Sequence, residues 1–274
     1  MSTHAWDLLA TPQEAEDSTW ELFHENSKIT PHDRLMPEAV ANAYLAQMPE
    51  SLIFEGYPEV QLPEAAAPPI LLRDAIARRT VTHDFEPCFI TMDAAAALLK
   101  NAYGPLDGDD ARRPRAVYSE GSLFPLELFV HSVRVAGLAP GLYHYYPPGN
   151  SLRLLSKGDH SPKLAAGFLD ARSAQAALTV LVAVMPERSV FRYGDRGYRF
   201  ALLEAGAVVQ NLALTAAALD LACANAGEFF DSAIDDVLDL DGLSISTLYV
   251  VGIGKAAEQP PRNEMNGSNT PQRR

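Results

Sequence analysis

The most apolar stretch of the chain, residues 205–219, runs fifteen positions without a charge between Glu204 and Asp220. That is short of the roughly 18–20 residues a bilayer span needs. The surrounding pattern, residues 199–223, reads as one long helix, apolar nearly all round. Such a helix is stable only when covered on every side, so it belongs at the centre of a fold. Ala205, Gly206, Ala213, Ala216 and Ala217 keep its surface smooth enough for another helix to approach closely. The helix is too apolar to face water, which leads to the expectation of a homodimer.

Helical and strand patterns alternate around it. Residues 71–79 place Leu72, Ala75 and Ile76 at helical spacing. Residues 91–103 open on Thr91, a natural N-cap, and close at Gly104. Residues 126–135 carry the aromatic and β-branched content of a strand. Residues 141–146 and 152–155 predict a hairpin around Pro147-Pro148-Gly149-Asn150. Residues 177–184 are a continuous apolar run, the mark of a strand buried on both faces. A short helix is expected over 235–240 and a last buried strand over 247–254. The fold class is therefore α+β, a mostly antiparallel sheet flanked by helices. Residues 1–69 read as an N-terminal extension and linker, with its best helix over 38–47. Residues 70–255 form the main domain, and 256–274 a disordered tail.

Composition narrows the partners. With 22 Lys and Arg against 35 Asp and Glu, the net charge of −13 argues against nucleic acid. A small phosphate site needs only a few local cations and stays open. Cys88 and Cys223 stand alone, and no histidine pair has metal-ligand spacing, so no metal is expected. The first 20 residues hold four carboxylates and no Lys or Arg, unlike a secretory signal. The expectation is a cytoplasmic protein with no membrane partner.

Four segments carry candidate chemistry. Arg78-Arg79-Thr80 can grip a phosphate, or can simply complement a helix C-terminus. Residues 118–125 (YSEGSLFP) are a small-residue loop able to approach a ligand, or an ordinary loop. Residues 188–200 (RSVFRYGDRGYRF) gather four arginines and two tyrosines; they are either functional or paired with carboxylates. Glu204, with Gln210 and Asn211, either bonds to other helices or meets a polar heterocycle. The VGIG run at 251–254 opens no helix and is not a dinucleotide fingerprint.

In order, Arg78-Arg79-Thr80, AYG (102–104), SEGSLFPLELFV (119–130), GLYHY (141–145), RYGDRGYR (192–199), LLEAGAVVQNLALTAAALDL (202–221) and YVVGIG (249–254) resemble one known family. It is the SagB-type dehydrogenases, the thiazoline and oxazoline oxidases of the nitroreductase superfamily. Phe23-His24-Glu25-Asn26-Ser27-Lys28 is similar to a short signature near that family's start. The resemblance covers roughly residues 20–255 and implies a nitroreductase-like fold, a homodimer with its long helices at the interface, and two FMN sites there.

The resemblance further implies that Arg78, Arg79 and Thr80 hold the FMN phosphate, with His83 and Lys255 as further candidates. Ser119, Gly121, Ser122 and Leu123 would lie over the flavin, with Glu204, Gly206 and Gly227 nearby. The implied reaction aromatises a peptide azoline, alongside a cyclodehydratase partner, with oxygen reoxidising the flavin. The family's catalytic Lys-Tyr pair falls on Arg192-Tyr193. Arginine cannot act as a base, which leaves Tyr193, its pKa lowered by Arg192 and Arg196, as the expected base. The alternatives are an NAD(P)H-dependent nitro or quinone reductase and a non-catalytic peptide-binding scaffold.

Overall fold

The structure is a computed structural model and describes residues 19–32, 36–64, 69–106 and 114–257. The remaining parts of the expected linker and tail, 65–68 and 258–274, lie outside the described residues. Seven strands form one sheet: β1 (Glu59–Gln61), β2 (Leu126–Ser132), β3 (Gly141–Tyr146), β4 (Ser151–Lys157), β5 (Leu178–Val184), β6 (Ala222–Ala226) and β7 (Ser246–Gly254). Their order is β1-β4-β3-β2-β5-β7-β6, and every neighbouring pair is antiparallel. The apolar run over 177–184 is β5, between β2 and β7, and every residue of it is buried. The expected hairpin is β3–β4, joined through Asn150 in the left-handed region at φ 45°.

Eight helices complete the described chain: α1 (Thr19–Asn26), α2 (Glu38–Leu45), α3 (Leu72–Arg78), α4 (Met92–Tyr103), α5 (Ser161–Gly167), α6 (Glu187–Tyr193), α7 (Asp195–Ala218) and α8 (Asp231–Leu238). Thr91 caps α4 as predicted, its hydroxyl accepting from the Ala94 N–H at 3.1 Å. Strand alternation sends Leu126, Leu128 and Val130 to one face of the sheet. There they meet Leu98 and Leu99 of α4 and Ala201, Val208 and Leu212 of α7. Phe129, Leu181 and Ala183 face the other way, onto Leu164 of α5 and Ile234 of α8.

The long helix is central but shifted from its expected range. It starts at Asp195, released by Gly194 at φ 57°, and ends at Ala218. Asp220, at φ 54°, turns the chain, so Cys223 lies in β6 opposite Ile253 rather than in the helix. Sheet pairing overrides the helical preference of the alanines at 222, 224 and 226. α7 is long and apolar enough by composition to cross a membrane, but half of its most apolar window is buried inside the fold. It also leaves Leu203, Gly206, Ala207 and Gln210 open along one stripe, whereas Ala213 packs inward at 3 % exposure. The short helix expected over 235–240 begins earlier, at Asp231, and stops where Asp239 turns left-handed.

The segment read as an N-terminal extension joins the sheet. β1 pairs with β4, and Leu62 enters the core. Phe23 meets the Tyr198 ring edge-on at 6.0 Å, and Arg199 Nη1 donates to Ser27 Oγ at 3.3 Å. The FHENSK signature is therefore a clasp on the first turns of α7.

Candidate functional site

The residues singled out in the sequence fall into two groups. The first lies at the β6 edge of the sheet, by the C-terminus of α7. Arg78 Nη1 stands 3.8 Å from Asp220 Oδ1, with both side chains exposed. Thr80 Oγ1 donates to the Arg78 carbonyl, and the Thr80 carbonyl accepts from the Cys223 N–H. Arg78, Thr80 and Ala256, next to exposed Lys255, line one shallow cleft. His83 and Gly227 share the neighbouring hollow with Asn225, whose buried Oδ1 has no hydrogen-bond partner. His83 Nδ1 lies 3.3 Å from Asp170 Oδ2.

The second group lies at the other end of α7. Gly121, at φ 65°, sits in the loop after Ser119. A Cβ added there would come within 2.7 Å of Tyr193 Oη and 3.0 Å of Arg192 Nη1. Only glycine permits both the backbone angle and that approach. The small-residue loop and the Arg-Tyr pair, some 70 positions apart in sequence, are thus one surface. α7 has 24 residues, about 36 Å of helix, with Tyr193 just before its start and the first group by its end; Glu204, which belongs with the loop, lies about 21 Å from that end.

Glu204 anchors the loop from beneath. The Tyr103 hydroxyl of α4 donates to Glu204 Oε1 at 2.8 Å, which is the helix-to-helix bond considered in the sequence. Ser119 also hydrogen-bonds Glu204, while its Oγ accepts from the Phe124 N–H at 2.9 Å. Burial pushes the Glu204 carboxyl up to about 7, against the pull of those hydroxyls and of Arg115. Gly206 is open, with no atom within 4 Å of an added Cβ.

Tyr193 corrects one expectation. Its phenol lies above the ordinary tyrosine value, not below it. Burial is the main cause; Arg192 pulls the other way, but Glu120 and Glu38 add to the rise. Arg196 instead approaches the Phe200 ring, 6.0 Å from its centroid.

Sequence reasoning overlooked a cluster beside this loop. Glu127 of β2 receives the Ser51 hydroxyl at 2.6 Å, the Leu52 N–H at 2.9 Å and Arg188 Nη1 at 2.6 Å. His144 Nε2 lies 2.7 Å from the same carboxylate. Arg188, one of the four clustered arginines, is therefore a structural ion pair. The available signal was a lone carboxylate inside the apolar run 126–130. Arg115, held between the Tyr103 and Phe124 rings at 4.5 and 4.6 Å, gave none.

The nitroreductase family model matches residues 76–255, which contain both groups. The chain belongs to the nitroreductase family. A Methanocaldococcus jannaschii protein named as a nitroreductase is 31% identical over 183 residues, 66% of this chain and 90% of its own. The microcin B17-processing protein McbC of Escherichia coli is 27% identical over 57% of this chain and 59% of its own. Among solved structures, a nitroreductase-type protein from Anabaena variabilis has a TM-score of 0.69 at 22% identity. It matches 90% of this chain but only 49% of its own length. The E. coli microcin synthetase McbBCD complex with truncated pro-MccB17 gives a TM-score of 0.58 at 20% identity, covering 88% of this chain and 92% of that one. This nitroreductase-family chain is thus an oxidoreductase by family, with the fold expected from sequence.

Proposed function

We propose that this nitroreductase-family chain is an FMN-dependent, SagB-type dehydrogenase that oxidises an azoline or related group in a modified peptide or small molecule. The observation that carries the reading is the meeting of Gly121 with Arg192 and Tyr193, which joins a flavin-covering loop to a candidate proton-transfer group. The name of the McbC relative supports a peptide substrate, with a cyclodehydratase as the enzyme that would form the azoline.

The residues fit a phosphate-bearing flavin. Arg78 and Thr80 line the cleft by β6, Arg79 acts on Cys223 of that strand, exposed Lys255 precedes Ala256 of the same cleft, and the unpaired Asn225 Oδ1 shares the hollow with Gly227. Arg78, Arg79 and Thr80 would hold the phosphate, with His83 and Lys255 as further cations, while Gly227 would lie near the flavin. Bound FMN supplies a hydride acceptor that oxygen can regenerate. The 119–124 loop rests on Glu204, about 21 Å along α7 from the phosphate grip at its C-terminus, and opens toward the start of the helix. In a homodimer the loop of one copy would cover the flavin held at the grip of the other. The open Leu203, Gly206, Ala207 and Gln210 stripe suits that contact.

In this reading Tyr193 takes the substrate Cα proton once its own proton has left to solvent. Arg192 stays cationic and stabilises the phenolate. The raised Tyr193 phenol also favours a second reading, a nitro or quinone reductase in which Tyr193 donates a proton. The M. jannaschii relative's name agrees with that reading.

The test of the cofactor and assembly is direct. Purified protein should be yellow, run as a dimer, and release FMN on denaturation. Colourless protein that FMN does not reconstitute, or release of FAD, contradicts the proposal.

A further inference from the structure

We propose that the cavity between α2 and the 121–124 loop is a binding site for a carboxylate group. It is a pocket of about 280 Å³ with Leu45, Met48, Arg115, Phe124 and Arg188 in its walls. Two guanidiniums in its lining are almost fully withdrawn from solvent, at 6 % exposure for Arg115 and 4 % for Arg188.

Their charges are unequally matched. Arg188 gives Nη1 to Glu127 and to the Phe124 carbonyl. Arg115 gives Nη2 to the Glu50 carbonyl at 2.7 Å, while its buried Nη1 has no hydrogen-bond partner. Among the described residues Arg115 has no ion pair. Glu204 is bonded to the Tyr103 and Ser119 hydroxyls rather than to Arg115, and Glu50, which meets Arg115 through its backbone carbonyl, is solvent-exposed. Arg115 is faced by the Tyr103 and Phe124 rings and acts on Glu204 at a distance, but no carboxylate among the described residues hydrogen-bonds this buried guanidinium beside the cavity. Buried charge without a partner is costly, and a guanidinium fork matches a planar carboxylate.

The open donor belongs to a single guanidinium, which suits a monoanion better than a phosphate dianion. Leu45, Met48 and Phe124 add an apolar wall for the body of the acid. The cavity shares Gly121 with Tyr193, so an acid bound there is one loop from the candidate reaction surface. The site does not depend on flavin chemistry. The carboxylate has two sources, a free acid or the terminus of a peptide.

The test uses the purified full chain with whatever flavin it carries, read by saturation-transfer NMR and calorimetry. Benzoate should bind and its neutral isostere benzamide should not. A short peptide with a free C-terminus, compared with its amide, separates the two sources. Peptide binding with amide failure assigns the peptide, and binding of free benzoate alone assigns the small acid; both support the site. Arg115→Met should weaken benzoate by at least about tenfold, as expected for a lost charged hydrogen bond. Met48→Trp, which fills the cavity and keeps both arginines, should abolish binding even if Arg115→Met does not fold. Equal binding of benzamide, stronger binding of inorganic phosphate, no binding of any probe, or unchanged benzoate affinity in Met48→Trp overturns the proposal.

Discussion

Glu127 and Glu204 are both buried carboxyls beside the same loop, at 1 % and 4 % exposure, yet they titrate in opposite directions. Glu127 is held down to about 2; Glu204 is pushed up to about 7. Burial raises both. Glu127 overcomes it with His144, the Arg188 charge and the Ser51 hydroxyl. Glu204 has only two hydroxyls and a guanidinium that does not hydrogen-bond it. The partners, not the depth, decide the charge. One carboxylate fastens residues 51–52 and α6 to the sheet; the other is a protonatable post under the 119–124 loop.

The largest expected effect comes from breaking the fully partnered side. Glu127→Ala leaves Arg188 buried without its counter-charge and frees the Leu52 N–H. Removing one member of a buried pair costs about 3–5 kcal/mol. Denaturant unfolding should show it, and a loss below 1 kcal/mol would mean that the cluster is not a structural lock.

The next effect separates the two carboxyls by pH. Glu127 titrates lower in the folded chain than in the unfolded one, so its contribution is present above about 4.5 and is lost as pH falls toward 2. Glu204 titrates higher when folded, so its contribution is full below about 4.5 and is lost as pH rises toward 7. Each pH unit across that second window is worth up to about 1.4 kcal/mol. Glu204→Gln should flatten the fall between pH 5 and 7 while leaving the acid limb intact. A parent protein with no such slope would contradict the assignment.

Ser51→Ala is the mildest change. It removes one of four partners from Glu127 and should cost about 1 kcal/mol, with the carboxylate still ionised at pH 4. Carboxyl ¹³C chemical shifts would report this; protonation near pH 4 would show that the hydroxyl counts for more than the ion pair.

Much of the fold was legible because its signals are local. Thr91, the uninterrupted 177–184 run and the Pro-Pro-Gly-Asn turn each fix an element within a few residues. The end of α7 was not, because Cys223 is drawn into β6 by Ile253, thirty positions away. The site was legible in its residues but less so in its chemistry. Nothing local to RYGDRGYR reveals that Gly121 seats Tyr193, or that Glu120 and Glu38 oppose Arg192 there. The pairing of Glu127 with Arg188 depends on β2 and α6 meeting across 61 positions, beyond any spacing rule.

The most direct test is single-turnover bleaching, by an azoline-containing peptide, of the FMN proposed for this protein, in the parent and in Tyr193→Phe. Proton removal by Tyr193 predicts bleaching in the parent that quickens as pH rises. It also predicts a loss of about 10²–10⁴-fold in the variant, the range for a general base, with flavin content unchanged. Equal bleaching rates in the two proteins, or bleaching by NAD(P)H and not by the azoline, would contradict it.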